Sequence, residues 1–397
     1  MTGEGALTGV KVIDLSRVLA GPLCTQTLGD LGAEVIKVER PGEGDDTRNW
    51  GPPYAGPLSA YFVGVNRNKR SLTLDLGAVE GRAVLERLIR SGDVLVDNFK
   101  RGTLERWGFD DEWYEANAPG MIRCSITGYG ASGPKADAPG YDFILQAETG
   151  LMAITGEVEG PPMKLGVAIV DICTGMQASI AILAALEARR RTGRGQRCEV
   201  NLYDTGLHLL ANVAANHLVS GEEPGRYGNG HPNIVPYRTY PAADGDLALA
   251  VGNDRQFALL AAEVGHPEWA EDPRFSTNPE RVRNRDLVDA MVVEVIQTRT
   301  RAEWVEVFDR VGIPSGPINK VSEALASDQT RAREMVVERM HPVAGPLRIL
   351  GLPIELSKTP ASIRHEPPAL GADTDAVLGE LGYSPEEIAG LRMAVVV

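Results

Sequence analysis

Residues 10–39 read VKVIDLSRVLAGPLCTQTLGDLGAEVIKVE. Two short β-branched runs, 10–16 and 33–39, flank a stretch whose apolar residues recur at helical spacing, which predicts strand, helix, strand. A helix between two consecutive strands carries the chain back across the sheet, so the strands lie parallel and the crossover is right-handed. The alternation continues outward with SLTLDL (71–76), EGRAVLERLIRSG (80–92), VLVDNF (94–99), the helical TLERWG and DDEWYEANA, and MIRCSIT (121–127). This predicts a doubly wound α/β core with helices on both faces of a parallel sheet.

Further along, a long helix in TGMQASIAILAALEARRRTGRG ends on arginines and glycine, as a helix C-terminus should. The strand QRCEVNLYD and a helix over GLHLLANVAANHLVSG follow. A Gly/Pro-rich linker at 221–230 then precedes a different unit, 231–330, with β-like and helical segments. Residues 331–397 return to short strands and one late helix, SPEEIAGLRM.

The chain has 397 residues, with 40 Lys+Arg against 54 Asp+Glu and a formal charge of −14. An acidic chain repels nucleic acid, so no nucleic-acid partner is expected. The length suits two or three domains. The apolar stretch 178–186 is too short to span a bilayer and MTGEGALTG has no targeting pattern, so no membrane partner and a cytoplasmic location are expected. Four cysteines, Cys24, Cys124, Cys173 and Cys198, lack ligand spacing, so no metal and no prosthetic cofactor are expected.

Three features carry chemistry. Gly128-Tyr-Gly130-Ala-Ser-Gly133 matches a dinucleotide fingerprint, with Glu148 near the spacing of a ribose ligand, but Pro134 and Pro139 stand where a helix must open. Residues 61–106 hold nine Lys/Arg against six Asp/Glu, either a solvated basic face or a site for a phosphorylated ligand. Asp171 ends the apolar run LGVAIV and precedes the long helix. It reads either as a first-turn acid satisfying free N–H groups, or as a carboxylate nucleophile kept ionised by the helix end above a dry floor.

RVLAGP, DLGAEVIKVERPGEGDDTR, NRNKRS, VDNFKRGTLERWG, SITGYGASGP, GYDF, VDICTGMQASIAILAALEARRRTGRGQ, NIVPY, RVRNR and GIPSGPIN resemble the class III CoA-transferases along essentially the whole chain. That family spans formyl-CoA, carnitine and succinyl-CoA-dependent transferases and the 2-methylacyl-CoA racemases. VERPGEGDDTRNWGPP, VNRNKRS, GLMAITG and IVPYRTY are most similar to its succinyl-CoA:glutarate (hydroxymethylglutarate) branch. The resemblance implies a large CoA-binding domain made of 1–220 and 331–397, a smaller α+β domain, and an interlocked homodimer. It implies Asp171 as nucleophile and CoA thioester as co-substrate, with CoA contacts at Val18, Leu19, Ala20, Arg40, Leu74, Asp75, Asn98, Phe99, Arg106 and Tyr141. The acyl and acid groups are expected at Arg67, Tyr141, Gly252 and Asn253, with Arg67 gripping a distal carboxylate. Two departures narrow the choice. Leu19 replaces the glutamine of formyl-CoA transferases, whose glycine-rich lid is reduced here to Val251-Gly252-Asn253-Asp254, which points away from formyl-CoA and oxalate. Tyr141 replaces a racemase histidine and is a poor acid/base at neutral pH, which favours transfer over racemisation. A racemase and a non-catalytic CoA-binding protein stay as alternatives.

Overall fold

The computed structural model describes residues 4–397, which divide into two compact units. The first comprises 4–149, 165–209 and 328–397, and the second 150–164 and 210–327. The expected single helix over 206–221 is two, Leu202–Leu209 and Ala211–Ser220, interrupted at Ala211 with φ +44°, and the unit boundary falls at that break rather than at 220. The excursion of 150–164 into the second unit has no counterpart in the sequence reading.

In the first unit six strands form one parallel sheet. They are β1 (Lys11–Asp14), β2 (Glu34–Glu39), β3 (Lys69–Thr73), β4 (Val94–Asp97), β5 (Ile122–Thr127) and β6 (Arg197–Asn201), in spatial order β3-β2-β1-β4-β5-β6. Alternate residues Ile13, Leu15, Ile36, Val38, Leu72, Leu74 and Leu95 fill one face with Val84, Leu85, Leu88 and Ile89 from the helix Val79–Ser91, and Val377 and Leu378 from the return segment join them. The other face receives helix α1 (Ala20–Asp30) and helix α2 (Ile169–Thr192). This face also carries buried charge: Asp14 at the end of β1, Lys37 within β2 and Lys69 at the start of β3 are all enclosed. β1 and β4 lead in opposite directions across the sheet, so their C-terminal ends open a crevice between them, the usual ligand position in such sheets.

Helix α2 as a whole is long and apolar enough, by length and composition, to cross a membrane, which corrects the expectation that the apolar stretch here is too short to span one. Val170, Ala178, Ile182, Ala185 and Leu186 are buried inside the unit, whereas Met176, Ile180 and Leu183 remain exposed.

The second unit holds a three-stranded antiparallel sheet, Ser315–Pro317 against Gly245–Ala250 against Tyr237–Ala242. Helices Asp254–Glu263, Arg285–Ile296 and Arg301–Val311 supply its core, around Phe257, Val292, Trp304 and Phe308.

Candidate active site

Two cavities meet at the crevice. One, of about 380 Å³, is bordered by Val18, Leu19, Ala20, Arg106, Tyr141 and Asp171. The other, of about 660 Å³, is bordered by Arg40, Leu74, Asp75 and Trp107. Arg17, Asn98, Phe99 and Lys100 line both, so all ten residues expected to touch CoA border one cavity or the other. The turn after β1 is held from β4: Asn98 accepts the Arg17 N–H at 3.0 Å and its amide donates to the Arg17 carbonyl at 2.8 Å.

Asp171 stands in the first turn of α2, whose N-cap is Ala168. The free N–H groups of that turn do not go to Asp171. Asp142, at the start of the helix Asp142–Glu148, accepts the N–H of Val170 at 2.8 Å and of Asp171 at 3.3 Å, and is itself steadied by Gln146 at 2.7 Å. Among the described residues no hydrogen bond reaches the Asp171 carboxyl group itself. Burial, and then the Asp142 charge, push its pKa up to about 7. The expectation that the helix end keeps Asp171 ionised is therefore corrected: Asp142 occupies that end with its own negative charge.

Helix α1 meets α2 one turn beyond Asp171. A Cβ on Gly175 would lie 2.5 Å from the Ala20 carbonyl oxygen, so only glycine allows this approach. The first N–H groups of α1 have no carbonyl a turn earlier to bond, and Pro22 has none to offer, which leaves donors at the wall shared with Asp171.

Arg67 is elsewhere. Its guanidinium is buried, bonded to both oxygens of Asp30 and, at 2.8 Å, to the Leu350 carbonyl. With its fork already filled by a neighbouring carboxylate it has no face for an incoming one, which corrects the expected substrate contact. Lys69 likewise bonds Asp14 at 3.0 Å, and Arg70 bonds Glu34 and Glu380, so the basic run 67–70 serves the fold. The basic groups bordering the cavities are Arg17, Arg40, Lys100, Arg101 and Arg106. Gly252 and Asn253 belong to the second unit, where Gln256 accepts the Gly252 N–H at 2.8 Å and Asn253 caps the following helix.

Asp142, Arg17 and Tyr61 were not singled out from sequence. The Tyr61 hydroxyl is pushed above its ordinary pKa by burial and then by the charges of Asp171 and Asp142, which places it in the same electrostatic neighbourhood. No spacing rule links residues 61, 142 and 171.

Residues 7–374 match CoA-transferase family III, and the chain belongs to that family; it is an enzyme of the class III CoA-transferase type. It is 43% identical over 385 residues to the succinate–glutarate CoA-transferase of Agrobacterium fabrum, covering 94% of this chain and 95% of that one. The human succinyl-CoA:glutarate CoA-transferase is 40% identical over 392 residues, covering 98% and 90%. An acetyl-CoA:oxalate CoA-transferase of Acetobacter aceti is 39% identical, covering 89% and 90%. Among solved structures, a CAIB/BAIF family protein from Brucella suis superposes with a TM-score of 0.83 at 43% identity over 95% of this chain and all of that one.

Proposed function

We propose that the enzyme moves CoA from succinyl-CoA to a dicarboxylic acid through covalent intermediates on Asp171. The observation that carries this reading is the division of labour between two acids. Asp142 satisfies the helix end, so the Asp171 carboxyl group faces a cavity with both oxygens unengaged. A poorly solvated, unengaged carboxylate is a nucleophile in waiting.

The carboxylate attacks the thioester carbonyl and expels CoA thiolate, giving a mixed anhydride. The thiolate attacks the Asp171 carbonyl, forming an aspartyl thioester and releasing succinate. The acceptor carboxylate attacks that thioester, expelling the thiolate again and making a second anhydride. Thiolate attack on the acceptor carbonyl then yields the new acyl-CoA and frees Asp171. Each tetrahedral oxyanion needs donors, and the opening N–H groups of α1, which borders the same cavity as Asp171, are assigned that role. Arg40, Arg106, Lys100 and Arg17 suit the phosphates of CoA, with the nucleotide in the 660 Å³ cavity and the pantetheine arm leading toward Asp171. Water must be kept from the anhydride, and Tyr141, which borders the same cavity as Asp171, is assigned a place beside the acyl group. The active form is proposed to be an interlocked homodimer.

Asp171→Ala should abolish succinyl-CoA-dependent transfer in a folded protein, and hydroxylamine added during turnover should mark Asp171 alone. Retained transfer in that variant sinks the assignment. The acceptor is read from a panel of acids. It includes glutarate, citramalate and mesaconate, and also oxalate, because a relative at 39% identity carries oxalate in its name.

A further inference from the structure

Lys37 on β2 and Asp45 in the loop behind it form an ion pair at 2.9 Å in which neither side chain has any exposure. No step proposed for Asp171 uses either group, yet both reach the turn that borders its cavity. The Lys37 ammonium donates to the Ser16 carbonyl at 2.9 Å. Asp45 accepts the Val18 N–H, 3.3 Å from each carboxylate oxygen, and also the N–H and hydroxyl of Thr47 at 3.0 and 2.8 Å. Its own N–H donates to Glu39 at 3.0 Å, and Glu39 is gripped by Arg48 at 2.7 and 2.8 Å. Burial pushes the Lys37 ammonium down, but Asp14, Asp45 and Glu39 outweigh it and hold its pKa above the ordinary lysine value, so the pair is charged.

The turn needs such a clamp. Val18 sits at φ +74°, a left-handed conformation that a β-branched residue adopts only under compulsion. Strain of this kind persists where the surroundings over-determine it. Asp14 takes the Ser16 N–H at 3.0 Å and Asn98 takes both backbone groups of Arg17, but the strained residue itself is tied by Asp45.

We infer that the Lys37–Asp45 pair is a positioning device for the transfer reaction, holding Val18 left-handed so that helix α1 opens at Leu19–Ala20 facing the carbonyl that reacts at Asp171. The inference rests on the reading of Asp171 as nucleophile. Lys37 borders neither cavity, and Asp45 borders the larger one with its side chain fully enclosed, so both act through the backbone of the turn.

The double variant Lys37→Met/Asp45→Leu removes both charges together, so neither is left buried alone, and it removes both bonds to the turn. In the folded double variant kcat should fall at least about tenfold while the dissociation constant of CoA, measured by calorimetry, stays within about threefold of the parent. Adding Val18→Gly should recover part of that kcat, because glycine adopts the left-handed turn without strain. Asp45→Asn, which keeps an acceptor for the Val18 N–H, should retain more turnover than Asp45→Leu, and this comparison decides if the double variant does not fold. A folded double variant with parental kcat, or a loss that Val18→Gly leaves untouched, overturns the positioning role. Full turnover by Asp171→Ala would instead remove the nucleophile reading beneath it.

Discussion

At the scale of single residues, the pKa of Asp171 gives the proposed reaction a pH dependence of defined direction. Its carboxyl is pushed up to about 7 from an ordinary 3.8, so the carboxylate proposed to attack is scarce below neutrality. The rate of the first CoA release should rise with pH through about 7 and level off above it, measured as thiol appearance in single-turnover mixing. Asp142→Asn removes the second cause of the shift but not burial, so the midpoint should move down by about one pH unit; an unmoved midpoint would leave burial as the whole cause. Stability follows the same sign. A carboxyl whose folded pKa is raised favours the folded state most when protonated, and that advantage is lost as pH climbs from 3.8 to about 7. Asp171→Asn should therefore gain stability over the parent between pH 4 and pH 8, by on the order of 2–4 kcal/mol in paired thermal melts. Asp171 stood out in the sequence as an acid ending an apolar run at a helix start, a pattern that left it open between capping acid and nucleophile, and the structure gives the capping to Asp142. Asp142 did not stand out: it lies 29 residues earlier, and only the fold brings the two together. Arg67 failed for the opposite reason, since a local excess of positive charge cannot show that Asp30 already fills the guanidinium.

At the scale of elements, the site depends on how closely α1 and α2 approach. Gly175→Ala places a methyl group against backbone, the Ala20 carbonyl, which cannot swing aside as a flexible side chain would. The helices must move apart, at a cost of about 1–3 kcal/mol in denaturant unfolding, and turnover should fall because Ala20 and Asp171 separate together. Wild-type stability and turnover in Gly175→Ala would mean that this contact does not set the site. The β-α-β order was readable because apolar residues alternate on the face packed by Leu85, Leu88 and Ile89. The opposite face was harder to read: Lys37 and Lys69 sit inside strands that look half-exposed, and both are fully buried because Asp14 and Asp45 meet them there. The helix break at Ala211 had no glycine or proline to announce it; a left-handed alanine is a tertiary outcome, not a local preference.

At the scale of the whole molecule, the exposed face of α2 bears on assembly. Met176, Ile180 and Leu183 are 53%, 59% and 36% exposed, and their spacing of four and three places them on one stripe. A stripe of that kind on the helix that carries Asp171 fits the proposed homodimer, with a second copy of the chain covering it. Light scattering on the purified enzyme should give twice the mass of 42.6 kDa, and Ile180→Asp should shift it toward the single-chain mass with loss of transfer. The net charge of −14 supplies the sharper test. Two acidic chains repel, and salt screens that repulsion while leaving apolar burial in place. Interlocked chains part only on unfolding, so the test is made on refolding: if the stripe drives association, the yield of dimer from refolding chains should rise as salt is raised from about 0.05 to 0.5 M, over which the screening length falls from roughly 14 to 4 Å. A yield that falls with salt would instead assign the contact to ion pairs and remove the α2 stripe from the interface.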